Sequence, residues 1–137
     1  MLTKQQLQAL DDWLLSQKNI DRMIQVRRLE LETKHIESNI KSNRPNRHVE
    51  TVAIRLADDQ VLKGLENLRN AIQELEKFIQ DPIYDDLFEA YYLRYKQGLM
   101  WEEIEDRLNV SRKTVYRRRE SILNLFGEFV GVYYDIS

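Results

Sequence analysis

The chain has 137 residues, no cysteine, and 21 basic against 23 acidic side chains, a formal net charge of −2. That length fits one domain, or one small domain on a helical extension, and excludes a large multidomain enzyme. The lack of cysteine excludes a disulfide scaffold, a thiolate zinc site and a thiol nucleophile, His35 and His48 lack metal-ligand spacing, and the balanced charge argues against a nonspecific polyanion binder.

At the N-terminus, Met1-Leu2-Thr3-Lys4 lacks the basic-then-apolar order of a signal peptide, and no apolar run approaches the ~18 residues of a membrane span, so a soluble cytoplasmic chain is expected. Only four glycines and two prolines interrupt the sequence, and apolar residues recur three and four apart almost throughout, which predicts an all-α fold. A first helix begins near Thr3, where Thr3 and Gln6 have capping-box spacing. Its face starts with Leu7, Leu10 and Leu14 and continues less cleanly through Met23, Ile24, Leu31, Ile36 and Ile40. The polar stretch from Ser42 to His48, with Pro45, reads as an exposed connection between two helices.

The second long helix carries the cleanest pattern: Val61, Leu65, Leu68, Ile72, Leu75 and Ile79, a heptad seam. Its partner is the first helix folded back, the same helix of a second chain, or both, and we favour both, which makes these six residues the expected oligomerisation set. Asp81-Pro82 closes this hairpin, because a residue before proline leaves helical geometry and proline suits a following first turn. The expected division is therefore a helical hairpin over 1–81 and a second unit over 82–137. That unit opens with a face of Leu87, Phe88, Tyr91, Tyr92 and Tyr95, aromatics more often core than base-stacking platform, and Gly98 fits a left-handed helix terminator.

From Trp101 the sequence reads as two short helices around a tight turn. Ile104 and Leu108 point inward from the first, and Glu102 and Glu103 suit the positive end of its dipole. Asn109 tolerates left-handed geometry, Val110 fills the corner and Ser111 caps the next helix, the layout of a helix-turn-helix. That helix buries Val115 and Ile122, and its other face is cationic. Arginine forks onto guanine, lysine donates to guanine or phosphate, and tyrosine offers a hydroxyl or a ring edge, so Arg112, Lys113, Tyr116 and Arg117 suit the major groove of duplex DNA. Thr114 is placed for phosphate contact or partial burial, and Arg119 completes the basic run Arg117–Arg119.

From Tyr92 to Leu123 the sequence resembles the C-terminal helix-turn-helix of sigma factors (region 4) and, more closely, phage transcriptional regulators of the ArpU and RinA type. The residues that carry the resemblance are the aromatic helix Tyr91–Tyr95, Gly98, Trp101–Ile104 and Val110–Arg117. It implies that Arg112, Lys113, Tyr116 and Arg117 take base-reading and phosphate-facing positions, that Ser111 caps the recognition helix, and that the protein regulates phage gene expression. Two positions depart from the pattern: Glu105 replaces a small residue and Arg118 an apolar one, which suggests an ion pair between Glu105 and Arg118 or Arg119.

The expected partners are therefore double-stranded DNA, a second copy in a homodimer, and RNA polymerase as a further candidate, with no membrane and no small-molecule substrate. A small terminase subunit of a packaging machine, or a sigma-factor-like polymerase-binding module, are the alternatives. The neighbouring acids Asp11-Asp12, Asp58-Asp59 and Asp85-Asp86 point in different directions on a helix. With no nucleophile–base pair, phosphate loop or metal set in view, no catalytic residue, cofactor or metal is assigned. The tail from Gly127 to Ser137 is apolar enough either to pack back on the module or to dock a partner.

Overall fold

The computed structural model describes residues 2–40, 56 and 59–133. Among them the chain is helical throughout, with no strand: α1 (Lys4–Leu15), α2 (Gln17–Ile40), α3 (Gln60–Ile79), α4 (Asp85–Tyr91), α5 (Trp101–Leu108) and α6 (Arg112–Tyr133). A 3-10 turn, Pro82–Tyr84, precedes α4, and a π-helical turn, Tyr92–Lys96, follows it. No helix of the described residues is long and apolar enough to cross a membrane. The connection expected over 42–48, the side chain of His35, Asp58 and the last four residues of the tail lie outside the described residues.

The cap at Thr3 forms in both directions: its Oγ1 accepts from the Gln6 amide at 3.1 Å and its own amide donates to Gln6 Oε1 at 2.9 Å. The expected single first helix is instead two. Leu14 and Ile20 are both buried, yet six residues apart they cannot share one face of a continuous helix with a 3.6-residue turn. The chain breaks at Ser16, and the Gln17 side chain takes up the Leu14 carbonyl at 2.9 Å. α1 then turns Leu14 toward α6 and the π turn, while α2 lays Ile20 and Ile24 on α3. Met23, expected on the buried face, is exposed.

α3 is held at its start by one carboxylate with two tasks. Asp59 Oδ1 caps the helix by accepting from the Leu62 amide at 2.8 Å, and Arg27 of α2 grips both oxygens, Nε at 3.1 Å and Nη2 at 2.7 Å. Five of the six seam residues, Leu65, Leu68, Ile72, Leu75 and Ile79, are buried within the single chain, against α2 on one side and α6 on the other. Each such leucine or isoleucine contributes about 1.5–3 kcal/mol by leaving water. Val61 is the exception at 55% exposed, and Leu62 is buried in its stead. The Val61 side of the first turn opens into a groove lined by Trp13, Met23, Val26 and Leu65.

At Asp81 the carboxylate accepts from the Ile83 amide at 3.0 Å and turns the chain into α4. Tyr84 packs its ring on Phe78 at 4.9 Å, and Phe78 meets Phe129 of α6 at 5.9 Å, so aromatic rings from both sides of Asp81 pack together at the edge of the core. Beyond the π turn, Gly98 has φ +77° and ends the segment in the left-handed geometry glycine adopts without cost. α6 is longer than the short helix expected. It runs 22 residues through Gly127, burying Phe126 and packing against α1, α3 and α4.

Candidate nucleic-acid interface

α5 and α6 meet at a corner built from three residues. Asn109 takes φ 55°, ψ 47°, the left-handed conformation that asparagine tolerates better than most residues, and ends α5. Val110 is half-buried at the bend. Ser111 Oγ then accepts from the Thr114 amide at 3.2 Å and lies 2.9 Å from Thr114 Oγ1, so serine and threonine together close the first turn of α6. At the other end of α5, the Met100 amide donates to Glu103 Oε1 at 3.2 Å.

The inner stripe of α6 is Val115, Ile122, Leu123 and Phe126, each fully buried. On the opposite side Lys113 and Arg117 are exposed, and Arg112, the first residue of the helix, is exposed as well, with Tyr116 half-exposed one turn on. Arg112 lies over the Tyr116 ring at 5.4 Å, a cation–π contact that holds the guanidinium along the helix. The Tyr116 hydroxyl, and beyond it Glu105 and Glu102, keep the Arg112 pKa above its ordinary value. Among the described residues Arg117 makes no ion pair or side-chain hydrogen bond. Three cations therefore stand outward on the first two turns of one helix.

Arg119 does not belong with them. It sits four residues after Val115 and three before Ile122, on the inner stripe, and its Nε is buried without a partner. Its charge acts on Tyr95 inside the fold. The expected ion pair of Glu105 with Arg118 or Arg119 is absent: Arg118 instead lies 4.0 Å from Asp86 at the start of α4. Thr114 is half-buried, its hydroxyl engaged with Ser111.

Behind this surface lies a polar cluster that the sequence reading missed. Asp11, 1% exposed, accepts from the Tyr95 hydroxyl at 2.6 Å and from Arg94 Nη2 at 2.7 Å. Arg94 also donates to the Leu99 carbonyl at 3.0 Å and lies 5.3 Å over the buried Trp101 ring. Burial, and then the Asp11 charge, drive the Tyr95 pKa far above its ordinary value. Tyr91 is raised as well, chiefly by burial, as it donates to Glu76 at 2.7 Å and accepts from Gln17 at 3.1 Å. Of the neighbouring acids, Asp11 thus turns into the core while Asp12 stays exposed. The signal was available, because position 11 follows Leu7 by four and precedes Leu14 by three. Tyr92, expected in the core with Tyr91 and Tyr95, is 46% exposed and stacks on Phe88 at 6.3 Å.

Among the described residues no group of three His, Asp or Glu side chains converges as a metal site would require. The family described as "Protein of unknown function (DUF722)" matches residues 5–128, from the first turn of α1 to the last third of α6. The chain belongs to this family. The match takes in the α5–α6 corner, the three outward cations and the Asp11 cluster together. No curated protein and no solved structure matches the chain.

Proposed function

We propose that the chain is a sequence-specific double-stranded DNA-binding regulator of transcription, with α5 and α6 as its helix-turn-helix and α6 as the recognition helix. One observation carries this reading: Arg112, Lys113 and Arg117 stand exposed on the first two turns of a helix that is anchored by the buried stripe Val115, Ile122, Leu123 and Phe126. In a helix-turn-helix those turns approach base edges, and arginine forks onto guanine while lysine meets guanine or phosphate. The Arg112–Tyr116 contact supports it further, since a guanidinium already held in place loses less freedom on binding. The resemblance to ArpU- and RinA-type regulators supports a phage or prophage origin and action on phage genes.

One such module neutralising ~4 phosphates has a log–log salt slope of about −3.6, a modest hold that pairing two copies on two half-sites multiplies. A homodimer suits this function, and its contact lies outside the α3 seam, which the chain fills itself. Selection from a random pool of duplexes with the full chain tests the reading. Enrichment of one motif is expected, and a pool that stays random after several rounds contradicts it. The polymerase-binding reading has its own support in the exposed Phe88–Tyr92 pair beside Asp85 and Glu89. Retention of RNA polymerase by the chain without DNA tests that.

A further inference from the structure

Arg118 has no part in the recognition surface described above, and as an arginine where the resemblance leads one to expect an apolar residue it asks for a physical reason. It lines a cleft of about 270 Å³ between α6 and the start of α4. One wall is Thr114, Arg117, Arg118 and Ser121, and the other includes Ile83 and Asp86. The cleft thus gathers two guanidinium groups and two hydroxyls against a single carboxylate. That carboxylate holds its neighbour loosely: Asp86 Oδ2 is 4.0 Å from Arg118 Nη2, beyond hydrogen-bond distance, and its side chain is 79% exposed while that of Arg118 is 17% exposed. The planar arginine fork matches phosphate oxygens, and hydroxyls complete such sites.

We propose that this cleft binds a phosphate group, and that in the DNA complex the group is a backbone phosphodiester beside the groove that α6 enters. The second part rests on the DNA reading above; the first does not. Positions 114, 118 and 121 lie to one flank of the outward edge at 112, 113 and 117. When that edge faces the bases, this flank faces the wall of the groove, where the phosphates stand. Asp86 then acts as a weak internal competitor that the phosphate displaces.

The test is fluorescence anisotropy of the full chain on a labelled duplex between 50 and 200 mM salt. Arg118→Gln is expected to flatten the log–log slope by about 0.9, one phosphate contact, and to weaken binding alike on all duplex sequences. Asp86→Asn is expected to tighten it. If Arg118→Gln keeps its helical circular dichroism and the wild-type slope, the cleft does not hold a DNA phosphate. If that variant fails to fold, exposed Asp86→Asn decides, and unchanged affinity overturns the proposal. Titration of the free protein with inorganic phosphate separates the two readings, with amide shifts over 114–121 expected. Such shifts without any duplex binding keep the phosphate site and overturn the DNA reading, whereas duplex binding with an unchanged slope and no phosphate shifts overturns the site alone.

Discussion

A carboxylate that is 1% exposed persists in the core because each of its oxygens accepts a hydrogen bond. Asp11 holds Tyr95 through one and Arg94 through the other, and so ties α1 to the π turn. Asp11→Ala leaves the Arg94 charge and a tyrosine hydroxyl unpaired inside the fold. Stability in urea is expected to fall by about 3–5 kcal/mol. The buried tyrosines make a second, pH-dependent prediction. Tyrosine ionises near pH 10 in the unfolded chain, and Tyr91 and Tyr95 are both raised in the folded state. As pH rises past about 10 the unfolded chain loses these protons first, so stability is complete below that pH and declines above it. Tyr95→Phe is expected to be less stable at neutral pH and to show a shallower alkaline decline, read from thermal melts between pH 8 and 11. Asp11 and Arg119 share a lesson about legibility. Each occupies an apolar stripe at helical spacing, Asp11 between Leu7 and Leu14, Arg119 between Val115 and Ile122, and grouping them by charge with their sequence neighbours hid that placement.

Among the elements, those with chemical punctuation were legible: the Thr3 cap, the Asp81-Pro82 turn, the Gly98 terminator and the Asn109–Ser111 corner all stand where residue type places them. The break at Ser16, the π turn at Tyr92–Lys96 and the length of α6 were not. Each is decided by which neighbours the flanking faces meet, and periodicity along one segment carries no such information. α6 passes through Gly127 and Gly131, and Phe126 and Phe129 beside them pack on other helices. Gly127 has Leu10 Cδ1 3.4 Å and Leu2 Cδ1 3.5 Å from the place a Cβ would take, ordinary contact with the ends of flexible side chains. Gly127→Ala is therefore expected to stabilise the chain by about 0.5–1 kcal/mol through helix propensity alone, measured by chemical denaturation. A loss of similar size would show that the α1–α6 contact has no room.

For the molecule as a whole, the heptad seam is buried at five of its six positions, where the spacing predicts contact with both the chain's own first helix and a second copy. It meets the chain's own α2 and α6, so Leu75→Ala, at a site with no exposure, is expected to cost about 2–5 kcal/mol by the same amount at every protein concentration. A cost that grows on dilution would place that stripe between subunits. Packing the seam inward also fixes α6 at its C-terminal half and leaves its first turns free for a partner, which is the arrangement the DNA reading needs. The most direct measurement compares Arg117→Ala with Arg119→Met on a duplex recovered by selection. The outward residue is expected to lose at least about tenfold in affinity, one good base or phosphate contact, while the inward one binds as wild type does. Equal losses, or a loss confined to Arg119→Met, would contradict the account.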